Sequence, residues 1–508
     1  MNAPAWLQRN VFKLLPAERY LPNAVTAPLD HEHIATAAET NVLPSETIGS
    51  GASSNSGVRS HRLRSTRERL AGTLRHKEEA LSPRELRRTL SAMQAIVDSQ
   101  ISEVEGGRRA GDLALWYATA TPAQRRDCWL LMSEQFAPDP KKVEAARRQY
   151  DEAQNTADEG AAEIGLRRAL VSPRTRLLQR FAVSSGGMPF LVQLRLDLLP
   201  HLKTEKRLLA LDAELENLFA TWFDVAFLEL RRISWDSPAS LIEKLIKYEA
   251  VHDIRDWNDV KNRLDSDRRC YGFFHPQLIN EPLIFVEVAL LHELPQAILP
   301  LLDESAAAED LTKATTAIFY SISNTQPGLR GVSFGDSLIK RVVETLKAEF
   351  PRLKTFATLS PIPGLRTWLS KNADALLEKL DAKARIALEQ SVGTKAISAP
   401  ELLAAFDESL ALDSKAPECH MLMQSAAHYL TSAMVDGKPA DPVARFHLGN
   451  GARIERLNWA GDGSAKGIKQ SFGLMVNYVY DLNRLDKYRT GLAKGNIAAS
   501  RDIMALKF

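Results

Sequence analysis

The stretch NTQPGLRGVSFGDSLIKRVVETLKAEFPRLKTFATLSPIPG, residues 324–364, changes character three times. Gly328, Gly331 and Gly335 make its first part a loop. Leu338, Ile339, Val342, Val343 and Leu346 then recur at three- and four-residue spacing, which predicts a helix with one apolar face. LKTFATLS reads as a buried strand directly after it. A glycine loop running into a helix N-terminus collects unpaired backbone N–H groups at the positive end of the helix dipole, a ready cradle for phosphate. No Gly-Lys-Ser/Thr closes the loop, so it is not a P-loop, and the spacing is not the dinucleotide GxGxxG. A glycine-bearing helix cap without any ligand has the same appearance, and the residues alone leave both readings open.

Working outward, Ser360 closes the strand and Pro361, Pro363 and Gly364 follow it. Proline fixes φ and pushes the residue before it into extended geometry, so Ser360 and Ile362 are held extended until Gly364 has passed. Ser360 then stands at a strand's C-terminal end, where open α/β layers place their ligands. The prolines forbid continued pairing, which splays the strand and opens a slot beside it; a rigid turn with an exposed serine is the plainer alternative. Upstream, CYGFFHPQLINEPLIFVEVALL offers two β-rich runs, Cys270–Phe274 and Pro282–Leu290, expected as adjacent antiparallel strands. A helix is expected around LTKATTAIFYSIS, residues 311–323. A helical segment is expected from about 366 to 433. Beyond it, His447 sits before Gly449-Asn450-Gly451 and the strand-like ARIERLNW, so a strand–loop junction is expected there. A histidine so placed can donate a proton near neutral pH, or can be a satisfied structural residue.

Residues 66–220 read as helix almost throughout, with Ser-Pro, Thr-Pro and Asp-Pro pairs at the predicted starts. Glu and Asp are interleaved with the many arginines, which favours solvated helix faces over a phosphate-binding surface. Residues 1–65 read as a flexible arm rich in Ser, Ala, Gly and Thr over 23–60. Its first residues carry Arg9, Lys13 and Arg19 among apolar residues without the uninterrupted apolar core of a secretory signal, so a docking segment or a short amphipathic targeting helix is expected. His31 and His33 lie in the arm without further ligands, and no metal is expected.

Composition narrows the function classes. With 65 basic against 63 acidic residues, no charge excess points to nucleic acid or an anionic membrane, so an anionic ligand needs a local site. Cys128, Cys270 and Cys419 are odd in number and far apart, which fits a reducing, cytoplasmic setting and neither a disulfide framework nor a zinc site. The longest apolar run, PLIFVEVALL, contains Glu287 and is too short to span a bilayer.

The loop resembles the one with which the acetyltransferase superfamily grips the pyrophosphate of coenzyme A. Taken together, FYSISNTQPGLRGVSFGDSLIKRVVETLKAEFP, FATLSPIPGLRTWL, PVARFHLGNGA and FGLMVNYVY, in that order, resemble the malonyl-CoA decarboxylase family over roughly residues 210–490. The resemblance implies an α+β, α-rich chain: an N-terminal all-α bundle (66–220) followed by an acetyltransferase-like (GNAT-type) α/β catalytic domain with a mixed sheet (221–508). It implies conversion of malonyl-CoA to acetyl-CoA and CO2, no metal or organic cofactor, and a homo-oligomer, tetramer or dimer. The family's catalytic serine matches Ser360, its catalytic histidine His447 and an active-site tyrosine Tyr480. The substrate-binding loop matches Arg330, Gly331, Val332, Ser333, Phe334, Gly335 and Asp336. Animal members carry a glutamate where this chain has Ser333, so no acid/base role is carried over there. An acyl-CoA-dependent N-acetyltransferase and a non-catalytic malonyl-CoA sensor are the alternatives the same scaffold allows.

Overall fold

The computed structural model describes residues 64–76, 79–332 and 338–506. The expected N-terminal arm, up to residue 63, lies outside the described residues. Among the described residues nine α-helices come first: α1 (Thr66–Ala71), α2 (Pro83–Val97), α3 (Glu103–Thr119), α4 (Pro122–Gln135), α5 (Pro140–Ala153), α6 (Glu159–Leu170), α7 (Pro173–Val183), α8 (Gly187–Leu198) and α9 (Leu209–Trp222). The Ser-Pro, Thr-Pro and Asp-Pro pairs do begin helices. Ser82, Thr121, Asp139 and Ser172 are N-caps whose side chains accept backbone N–H groups of the first turn, with proline next, where its missing N–H costs nothing.

Among the described residues strands begin at residue 229. They are β1 (Glu229–Ile233), β2 (Arg268–Phe274), β3 (Pro282–Leu291), β4 (Thr316–Asn324), β5 (Thr355–Thr358) and β6 (Ser360–Pro361), then a two-stranded ribbon of β7 (Met434–Val435) and β8 (Lys438–Pro439), then β9 (Arg453–Asn458) and β10 (Met475–Val479). Helices α10 (Ala239–Tyr248), α11 (Trp257–Arg263), α12 (Leu299–Leu302), α13 (Leu338–Glu349), α14 (Leu365–Leu377), α15 (Ala382–Val392), α16 (Ala399–Asp407), α17 (Pro417–Ser432), α18 (Pro442–Gly449), α19 (Ala465–Ser471), α20 (Leu485–Ala493) and α21 (Arg501–Ala505) fill the intervals. The large sheet runs β1-β2-β3-β4-β5-β10-β6, with β9 also on β10. It is mixed: β4 and β5 are parallel, and the other pairs are antiparallel.

The pair expected around 270–290 is found, with Arg268 opposite Ala289 and Phe274 opposite Pro282. The helix expected at 311–323 is not. TAIFYSISN is the central strand β4, hydrogen-bonded to β3 on one side and β5 on the other. A strand buried on both faces shows a nearly continuous apolar run instead of alternation, and its threonine, isoleucines and aromatics suit a sheet. His447 also differs from expectation: it lies in the last turn of helix α18. One apolar core joins the helical region to the sheet, running from Leu86 and Trp129 through Leu191 and Phe319 to Val342 and Tyr480.

Candidate active site

β4 and β5 stay paired only from Thr316/Thr355 to Phe319/Thr358, and the Leu359 N–H still reaches the Phe319 carbonyl at 3.1 Å. After that they part. β4 continues to Asn324 on β3, while Ser360 and Pro361 turn onto Val476 and Met475 of β10. The prolines do this, because Pro361 and Pro363 cannot donate to a continued β4 ladder. The parting leaves a cavity of about 590 Å³ that reaches from Ser321 and Asn324 to Ser360 and His447, with Arg330 and Gly331 along its wall.

At its closed end Ser360 of β6 and His447 of α18 line the wall, and Tyr480, just past β10, lies behind His447. Ser360 is 5% exposed; its Oγ donates to Thr358 Oγ1 at 2.8 Å and lies 3.2 Å from His447 Nε2. His447 Nδ1 lies 2.7 Å from the Tyr480 hydroxyl. Tyr480 follows β10 and is held by its own N–H on the Phe356 carbonyl at 2.8 Å. The His447 ring stacks on Tyr478 at 4.7 Å between centroids. Burial alone pulls the imidazole down to about 3, so it is neutral at physiological pH. Burial also lifts the Tyr480 hydroxyl well above the phenol range, so it keeps its proton. A neutral imidazole has one N–H, and the network assigns it. Ser360 donates to Thr358 and so accepts from Nε2–H, which leaves Nδ1 to accept from Tyr480. Donors thus run in one direction, Tyr480 to His447 to Ser360 to Thr358.

Asp441, which sequence reading missed, holds the serine and histidine backbones in register. It is 1% exposed. Its Oδ1 caps α18 by accepting the N–H groups of Val443 (2.9 Å) and Ala444 (3.0 Å), and its Oδ2 accepts the Gly364 N–H at 3.0 Å. One carboxylate therefore ties the turn that follows Ser360 to the helix that carries His447. Burial raises the Asp441 carboxyl above its usual range, and the three backbone donors and the Tyr429 hydroxyl oppose that rise. Gly364 is a glycine because of close approach: a Cβ there would stand 2.1 Å from the Tyr429 hydroxyl oxygen. The visible signal was Asp441-Pro442, another cap followed by proline at the first helical position.

Of the expected loop, Arg330, Gly331 and Val332 line the cavity. Ser333, Phe334, Gly335 and Asp336 lie outside the described residues. Gly331 has φ +85°, a left-handed conformation that favours glycine. Asn324, Gln326 and Asn450, none of them expected, add polar groups to the wall. Among the described lining residues Arg330 alone carries a formal charge at neutral pH. Among the described residues no cluster of His, Cys, Asp or Glu forms a metal site, and no helix is long and apolar enough to cross a membrane. The site can therefore hold an anionic group in a dry, neutral end that offers hydrogen-bond donors and a transferable proton.

Comparison with known proteins gives one answer. Residues 226–507 match the family model of the malonyl-CoA decarboxylase C-terminal domain, and residues 136–223 match that of its N-terminal domain. The mitochondrial malonyl-CoA decarboxylase of Anser anser anser is 35% identical over 399 residues, 74% of this chain and 78% of that protein. The protein of the same description from Rattus norvegicus is 34% identical over 428 residues, 79% and 85% of the two chains. The malonyl-CoA decarboxylase crystal structure from Rhodopseudomonas palustris superposes with a TM-score of 0.71 at 41% identity, covering 83% of this chain and 99% of that one. The one from Agrobacterium vitis gives 0.72 at 39% identity, covering 82% and 99%.

Proposed function

The chain belongs to the malonyl-CoA decarboxylase family, and we propose that Ser360, His447 and Tyr480 carry out in it the loss of CO2 from malonyl-CoA that leaves acetyl-CoA. It is a carboxy-lyase. The observation that carries the assignment of roles is the one-directional chain of neutral donors, Tyr480 to His447 to Ser360, at the closed end of the cavity.

The bond to the carboxylate carbon breaks, its electron pair passes into the thioester carbonyl as an enolate, CO2 leaves neutral, and a proton is added at carbon. The thioester carbonyl is the electron sink, so the protein has three tasks. It must strip the carboxylate of water, hold the growing enolate oxygen, and supply the proton. A closed end whose lining side chains carry no charge meets the first, because the negative charge is worst solvated on the carboxylate and moves away as CO2 forms. Ser360 meets the second by turning its Oγ–H from Thr358 to the enolate oxygen; one such donor is typically worth about 10²–10³ in rate. For the third, His447 gives its Nε2 proton to carbon while Nδ1 takes the proton of Tyr480. The enolate carbon is a stronger base than a phenolate, and the positive charge of Arg489 eases ionisation of Tyr480; after product leaves, water in the cavity returns a proton to Nε2 while the Nδ1 proton passes back to Tyr480.

Arg330, Gly331 and Val332, with the loop that follows, hold the coenzyme A end. The parting of β4 from β5 supports the finer fold reading, an acetyltransferase-like catalytic unit in which the pantetheine arm lies between the two strands. The test is malonyl-CoA alone, without acceptor, in deuterated water. Acetyl-CoA and CO2 should appear with one solvent deuterium in the new methyl group. Binding without turnover would indicate a sensor, and consumption of acetyl-CoA only on addition of an amine would indicate a transferase.

A further inference from the structure

We propose that Arg195, on helix α8 of the N-terminal helical region, is a positioning residue for the coenzyme A loop, so that this region is a working part of substrate binding. The proposal rests on the reading of Arg330, Gly331 and Val332 as part of the wall that holds coenzyme A. Arg195 lies about 135 residues before that loop in sequence and is 2% exposed. Its Nη1 donates to two loop carbonyls, Gly328 at 3.0 Å and Arg330 at 2.8 Å. Its Nε donates to Asp212 Oδ1 of α9 at 2.8 Å, which fixes the guanidinium plane. The same helix touches the turn directly: a Cβ on Gly328 would stand 2.2 Å from the Val192 carbonyl oxygen.

A buried ion pair of this kind roughly breaks even against apolar packing as a source of stability. What it supplies is orientation. In a trans peptide the C=O and the following N–H point in opposite directions. A guanidinium that holds the Arg330 carbonyl therefore turns the Gly331 N–H to the opposite side of the loop, and Gly331 lines the cavity. Backbone N–H groups are what a glycine loop offers a pyrophosphate, so their direction decides affinity. Arginine's rigid fork can hold two carbonyls and a carboxylate together, whereas a lysine's single ammonium cannot reproduce that geometry.

The test compares wild type with Arg195→Ala, Arg195→Lys and Asp212→Asn. It measures KM and kcat for malonyl-CoA and, separately, the Kd for coenzyme A by calorimetry. Arg195→Ala should raise both KM and Kd about tenfold with kcat within about twofold, millimolar guanidinium should restore much of the affinity, and Asp212→Asn should show a smaller change of the same kind. Unchanged KM and Kd, or a fall in kcat with KM unchanged, would overturn the proposal. If Arg195→Ala does not fold, Arg195→Lys decides: raised KM and Kd support the proposal, and wild-type values sink it. The calorimetric arm needs no turnover. A wild type that binds coenzyme A but leaves malonyl-CoA intact would defeat the decarboxylase roles while the loop proposal is still decided by Kd.

Discussion

The two ends of the cavity are built by opposite means. At the proposed reaction end, Ser360 on β6 and His447 on α18 are tied together through Asp441, Tyr480 follows β10 directly, and all three are buried and neutral. At the end proposed for coenzyme A the described wall combines backbone, a left-handed glycine and an exposed Arg330 with Asn324 and Gln326, and Arg195 in another part of the chain holds two of its carbonyls. The difference matches what each end must do. A reacting carbon needs fixed donors in a low-dielectric pocket, where a misplaced atom is costly in rate. A handle of phosphates and amides needs N–H groups and a nearby positive field, and its errors appear as affinity. Variants at the first end should therefore lower kcat and variants at the second should raise KM.

The largest effects test the first half of that statement. Ser360→Ala and His447→Asn should each lower kcat by at least about a hundredfold while KM changes little. Thermal unfolding should show a midpoint within a few degrees of wild type, since neither residue carries the core. A loss of activity that tracks a loss of folding would make both residues structural.

Asp441 should give smaller losses that fall on the same side of the comparison. Asp441→Ser keeps a good N-cap for α18 but is too short to reach Gly364. It should lower kcat about tenfold with KM within about twofold. Gly364→Ala drives a methyl into the Tyr429 hydroxyl and should cost about 1–3 kcal/mol of stability together with a similar loss of kcat. Adding Tyr429→Phe removes the atom that the methyl strikes, so the double variant should recover part of both. Full additivity of the two changes would show that the turn and α17 are not in contact as described.

How much of this was legible in the sequence follows from what each feature leaves behind in side-chain identity. The serine was legible because two prolines and a glycine are a conspicuous way to fix one turn, and the family likeness joined it to His447 and Tyr480. The geometry of the histidine was misread, because ARFHLGNGA is too short for its period to show and the cap that begins α18 stands six residues earlier. Strand β4 was misread for the reason that makes it central: burial on both faces removes the alternation by which a strand is recognised. The ties were out of reach. Asp441 shows only its capping half, since its other partner is a backbone N–H 77 residues away. Arg195 resembles every other arginine of the helical region, and the carbonyls it holds have no side-chain signature at all.

The smallest expected effect is an absence of one, and it tests the neutrality of the reaction end. Free histidine titrates near 6.5, but burial holds His447 at about 3. The free enzyme should therefore show no inflection of kcat/KM between about pH 5 and 8 attributable to an imidazole, because that profile reports the uncomplexed protein. Stability carries the same information with a definite sign. Between about pH 3 and 6.5 the unfolded chain binds a proton at this histidine and the folded one does not, so the unfolded state gains as the pH falls. The contribution of a neutral His447 is thus fully present above pH 6.5 and lost progressively toward pH 3. His252, which burial lowers to about 4, acts in the same direction but is shared by wild type and His447→Asn. Comparing the two proteins by denaturant unfolding at pH 7 and pH 5 isolates the active-site imidazole: wild type should lose more stability than the variant. Parallel losses, or an inflection of kcat/KM near 6.5, would mean that the imidazole is charged at rest, and the two ends of the cavity would then differ in geometry but not in charge.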